Sequence, residues 1–75
     1  MDAAYEKRVG QRIRNIREKR GITQELLSAK MQLAGCDITR SALAKIEVGQ
    51  RHLYIDEFKL LADLLNVDYA EFLKE

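Results

Sequence analysis

Apolar positions recur at helical spacing along nearly the whole chain. Tyr5, Val9, Ile13 and Ile16 fall on one stripe, which predicts an amphipathic helix over about 4–20. Thr23 is a suitable N-cap for a second helix through Leu27 and Met31 to about Ala34, although Leu26 stands where a capping box would carry Glu. Thr39 caps a third helix, about 40–48, with Leu43 and Ile46 inward. A fourth covers about 55–65 with Phe58, Leu61, Ala62 and Leu65 inward, and a short fifth follows Asp68 with Phe72 and Leu73. Gly21, Gly35, Gly49 and Asn66 punctuate the ends, residue types that tolerate the left-handed conformation closing a helix. The pattern predicts an all-α bundle of about five helices in one domain, 1–75, with no linker or repeat.

Length and cysteine usage narrow the classes. The chain has 75 residues, enough for one small core. Cys36 is the single cysteine and His52 the single histidine, so neither a disulfide nor a structural zinc site is expected within one copy. Cys36 reads as a half-buried loop thiol and His52 as a surface loop residue. No apolar run approaches the roughly 20 residues of a membrane span, and no signal-peptide core opens the chain, so a cytoplasmic setting is expected. Nor is there a phosphate-cradling Gly loop or a carboxylate pair in an acid–base context, so neither a cofactor nor an enzymatic activity is expected.

Charge changes the picture once it is divided along the chain. Residues 1–52 hold eleven Lys or Arg against six Asp or Glu, a balance of +5, whereas residues 53–75 hold two against six, a balance of −4. Such polarity suits a one-sided polyanionic partner. The third helix sharpens this. A helix N-terminus favours acidic residues, yet Arg40 stands first, behind an uncharged Thr39. Ser41, Ala44 and Lys45 lie opposite Leu43 and Ile46. Small residues permit close approach to a surface, while Arg40 and Lys45 reach outward, as a helix in the DNA major groove requires.

The run Thr23-Gln24-Glu25-Leu26-Leu27, followed by Thr39-Arg40-Ser41-Ala42-Leu43-Ala44-Lys45-Ile46-Glu47-Val48-Gly49-Gln50-Arg51, resembles the Cro and lambda-repressor-like helix-turn-helix family, also called XRE. An Arg-rich first helix ending in Gly and the late Asn66-Val67-Asp68 turn match as well, so the resemblance covers about residues 9–73. It implies a helix-turn-helix at the second and third helices, with the third in the major groove. By position, it implies that Arg40, Ser41 and Lys45 read bases, while Thr23, Gln24, Thr39, Gln50 and Arg51 contact the DNA backbone. Glu47 would pair with Arg17 as scaffold. Thr23 and Glu47 lie 24 positions apart, about five more than usual in the family, which predicts a longer second helix and turn between Met31 and Ile38. Ser28 replaces a common Ala, and Tyr54 stands where a small polar cap is expected.

The fourth helix carries more apolar surface than one core face needs. Leu60 and Leu64 lie off its main stripe, and with Tyr69, Phe72 and Leu73 they predict an exposed patch and a homodimer. A dimer would read a pseudo-palindromic operator with half-sites about 34 Å apart. The leading expectation is a sequence-specific DNA-binding transcriptional regulator, a repressor. The alternative is an antitoxin-like or other protein-interaction module that uses the C-terminal apolar surface on a different protein.

Overall fold

The computed structural model describes residues 2–74; Met1 and Glu75, the ends of the expected 1–75 unit, lie outside the described residues. Five helices follow in order: α1 (Ala3–Lys19), α2 (Gln24–Leu33), α3 (Arg40–Glu47), α4 (Ile55–Leu65) and α5 (Tyr69–Leu73). Four start on a side-chain oxygen that accepts from an otherwise unpaired N–H of the first turn. Asp2 accepts from Ala4 N at 2.9 Å, Thr23 from Leu26 N at 3.1 Å, Thr39 from Ala42 N at 3.1 Å and Asp68 from Ala70 N at 3.0 Å. α4 starts differently. Tyr54 provides no cap, and instead Glu57 reaches back from the first turn to accept from Tyr54 N at 3.1 Å. At the other end of α4, Asn66 takes the left-handed conformation, with φ 56°. Arg20 Nε donates to Leu65 O there at 3.0 Å, so a cation from the end of α1 meets the negative end of α4.

One apolar cluster holds the helices together. It comprises Val9 and Ile13 from α1, Leu27 and Met31 from α2, Ile38, Leu43 and Ile46 around α3, Leu61, Ala62 and Leu65 from α4, and Phe72 from α5. α1 packs against α3, α4 and α5, and α2 against α3 and α4. Each fully buried Leu or Ile of this set contributes about 1.5–3 kcal/mol relative to exposure, so the core is the principal stabilising term.

The longer segment between Met31 and Ile38 takes the form of an extra part-turn on α2 and a pinned loop. α2 runs to Leu33, which is 90% exposed, and ends at Gly35 with φ 91°. The backbone then doubles back, Cys36 N donating to Met31 O at 2.9 Å. Gln32 Nε2 donates to Ile38 O at 2.9 Å, and this drops Ile38 into the core directly before α3. Ser28 is buried, and its hydroxyl donates to Glu25 O at 3.0 Å, so the hydroxyl near the α2 packing surface is satisfied within its own helix.

The expected apolar patch needs correction. Phe72 is only 1% exposed, because α5 folds back on α1 and sets the Phe72 ring edge-on against Phe58, with centroids 5.4 Å apart. Leu60 and Leu64 are half-buried against the core. Of the expected set, Tyr69 and Leu73 stay exposed; they are joined on the surface by Ile55, at 86%, and Tyr54. Ile55 lies on the opposite side of the first turn of α4 from the buried Glu57. Among the described residues, no helix is long and apolar enough to cross a membrane.

Candidate nucleic-acid interface

α3 presents two distinct faces. Leu43, Ile46 and Glu47 are buried, while Arg40, Ser41 and Lys45 are exposed on the other side and Ala44 is half-buried. Thr39, at the N-cap, and Gln50, just past the C-terminal end, are also exposed. The inward face is fixed by an acid at its last residue. Glu47 is 1% exposed, and its Oε2 accepts from Arg17 Nε at 2.7 Å while its Oε1 accepts from Arg17 Nη2 at 3.1 Å and Gln24 Nε2 at 2.9 Å. Arg17 Nη1 also donates to Ile22 O at 2.8 Å. Burying a lone ion would be costly, but each charge here has a fork-to-fork partner and further hydrogen bonds. One group therefore ties α1, the α1–α2 turn, the start of α2 and the end of α3 together.

The approach of α1 to α3 is closer than side chains normally allow. A Cβ on Gly10 would meet the backbone oxygen of Ile46, and that of Glu47 at 2.9 Å. Glycine is thus required in mid-helix at a place that helix propensity disfavours. At Gly49, φ is 78°, and the turn leaving α3 passes over Lys7 of α1.

The Gln24 amide is half-buried and reaches Glu47. One N–H is used on Glu47, and an amide nitrogen carries a second. Thr23, Gln24, Glu25, Arg40, Arg14 and Arg17 line one open concavity of about 310 Å³ where the N-termini of α2 and α3 meet. Arg40 lies 60% exposed there, its Nε 3.9 Å from Glu25 Oε1.

Arg51, expected at the DNA backbone, is also paired within the chain. Its Nη1 donates to Glu57 Oε1 at 2.9 Å and to His52 O at 2.9 Å, and its Nη2 donates to Glu57 Oε2 at 3.0 Å. The guanidinium also lies 5.7 Å from the Tyr54 ring centroid. Three oxygens within hydrogen-bond distance hold it against the start of α4. Burial pushes the Glu57 carboxyl up, but the Arg51 fork and the Tyr54 N–H outweigh it and hold Glu57 below the ordinary carboxylate range.

Two further polar links escaped the sequence reading. Glu6 accepts from Leu53 N at 3.3 Å and lies 2.9 Å from His52 Nδ1, a hydrogen bond that lowers the Glu6 carboxyl. His52 is therefore engaged with α1 across 46 residues of sequence, a separation that no local pattern signals. Cys36 is half-buried, and burial, helped by the neighbouring Glu57 and Asp56 charges, raises its thiol.

These features can be set beside known proteins. No curated protein matches the chain. Among solved structures it is similar to the DNA-binding domain of BldD, with TM-score 0.82 and 26% identity over 99% of this chain and 100% of that one. It is also similar to the restriction-modification controller protein C.AhdI from Aeromonas hydrophila, with TM-score 0.78 and 31% identity over 93% of this chain and 94% of that one. The helix-turn-helix family model HTH_3 matches residues 13–72, from the middle of α1 into α5. With α2 and α3 joined by a pinned loop and locked through Glu47, and with this match over most of its length, the chain belongs to the XRE-type helix-turn-helix family.

Proposed function

We propose that this protein is a sequence-specific, double-stranded-DNA-binding transcriptional regulator, acting as a repressor in the cytoplasm by occupying an operator rather than by catalysis. The observation that carries the reading is the division of α3. Its inner face is locked by Glu47, and its outer face offers Arg40, Ser41 and Lys45 with only small residues between them. The printed descriptions of both similar structures, a DNA-binding domain and a restriction-modification controller, support it. In this reading α3 lies in the major groove and Arg40, Ser41 and Lys45 meet base edges. Thr23, the second amide N–H of Gln24, Thr39 and Gln50 meet phosphates on either side and set the register. Arg51, turned onto Glu57, supports the loop that presents Gln50. Residues 1–75 act as one DNA-binding unit.

Selection of random duplexes by the purified protein, with affinities compared at two salt concentrations, tests this. A defined enriched sequence and a steep fall of affinity with salt are expected. Arg40→Ala is expected to lose about 1–3 kcal/mol on the enriched duplex and to relax one base position. Absence of any enriched sequence would refute the reading.

The exposed Tyr54, Ile55, Tyr69 and Leu73 favour a second component of the proposal, a homodimer joined through the start of α4 and through α5. Two copies would place two α3 helices on half-sites about 34 Å apart. Sedimentation of the wild type and of Ile55→Asp tests this: a dimer reduced to monomer is expected. A wild type that sediments as a monomer, alone and on DNA, would favour a different protein as the occupant of that surface.

A further inference from the structure

The start of α3 is electrostatically incomplete within its own helix. Its first residue is the cation Arg40, and no acidic residue stands in its first turn. The missing carboxylate comes from α2. Glu25, its second residue, is 81% exposed and directs Oε1 to 3.9 Å from Arg40 Nε, across the concavity that both residues line. Favourable placement near the N-terminus of α2 explains why an acid is tolerated at position 25, but it does not explain why the side chain leans toward the neighbouring helix. On a face that meets phosphates, an exposed carboxylate is a liability unless it serves the contact.

We propose that Glu25 is a specificity-determining positioning residue that aims Arg40 at its base. This rests on the base-reading role assigned to Arg40 above. A carboxylate on the Nε side of a guanidinium leaves the two Nη groups facing forward, the pair needed to donate to guanine O6 and N7 together. In water the exposed pair contributes little. In the groove the same pair is stripped of water and strengthened, so Arg40 is held in the orientation that matches guanine and cannot swing to a neighbouring phosphate. Repulsion between Glu25 and the phosphates meanwhile weakens binding to arbitrary sequence. The residue trades general affinity for discrimination.

Glu25→Gln tests this, since it keeps the shape and removes the charge. Dissociation constants are measured on the enriched duplex, on its variants at the position Arg40 reads, and on random duplex, at two salt concentrations. Binding to random DNA is expected to strengthen about two- to fivefold, and the ratio of enriched to random affinity to fall about three- to tenfold. The lost discrimination should be confined to the base that Arg40→Ala relaxes. In the Arg40→Ala background, Glu25→Gln should leave that base preference unchanged. Equal strengthening on both duplexes would overturn the inference and reduce Glu25 to a general repulsive charge. An unchanged preference in Arg40→Ala itself would overturn the base-reading role of Arg40, and with it this inference, separately from the behaviour of Glu25→Gln.

Discussion

Replacing Glu47 with Gln probes whether the buried acid holds α3 to the rest of the fold. The carboxylate accepts three hydrogen bonds, two from Arg17 and one from Gln24. A Gln offers a single acceptor oxygen, and its NH₂ must then face an N–H of Arg17 or Gln24, donor against donor. It also leaves the Arg17 cation, itself 7% exposed, without a counter-charge. Losing one partner of a buried pair costs about 3–5 kcal/mol, and the bond that Arg17 keeps to Ile22 O places this case near 3 kcal/mol. A domain of 75 residues has about 4–11 kcal/mol in total, so about a quarter or more of the stability is at stake. Urea unfolding followed by circular dichroism at constant protein concentration is expected to show that loss with an unchanged slope, and a Tm lower by about 12–24 °C. The double variant Arg17→Met, Glu47→Leu removes both charges and is expected to lose less than the sum of the two single changes. A loss below about 1 kcal/mol in Glu47→Gln, or strict additivity in the double variant, would refute the reasoning.

Two further outcomes are expected. Gly10→Ala should destabilise by about 1–3 kcal/mol in the same assay, because its Cβ meets two backbone oxygens at the end of α3 that have no room to move; an unchanged or raised midpoint would contradict the close helix approach. Glu57 is held below its ordinary 4.5, so its contribution is fully present above that value and is lost as acidification carries the pH down through the depressed one. The stability gap between wild type and Glu57→Gln should therefore narrow from about pH 6 to about pH 3, and a gap that stays constant would exclude the Arg51–Glu57 pair as its source.

Much of the helical layout was legible because it is written locally. Thr23, Thr39 and Asp68 each cap the helix that their position predicts, and the 3.6-residue stripes of α1, α3 and α4 supply most of the core. The outward side of α3 could be read from the same wheel. What could not be read was the partner of each polar side chain. Glu57 occupies an inward position of α4 that a hydrophobic pattern reserves for an apolar residue, and only the three-dimensional proximity of Arg51 makes its burial tolerable. Ile55, two residues before Glu57 and so on the opposite side of the helix, is left on the surface, while Leu60 and Leu64 pack against the core. Phe72 was misplaced for a related reason: a five-residue helix has no period long enough to reveal which side it buries. Gly10 gave no signal either, since the constraint on it comes from carbonyls more than thirty-five residues away.

The separation of buried and exposed residues onto opposite sides of α3 has an evolutionary consequence. Positions 40, 41 and 45 touch nothing the core depends on, and surface changes of that kind alter stability by only about 0.5 kcal/mol either way. If those positions read bases as proposed, mutation there can explore new target sequences without endangering the fold, whereas changes at positions 10, 17, 43, 46 and 47 strike the packing and the buried pair. Duplicated copies of such a chain are free to diverge in what they recognise while remaining superimposable. In the proposed reading, those three codons and that of Glu25, which positions Arg40, form a cassette through which the recognition of one such scaffold could be rewritten.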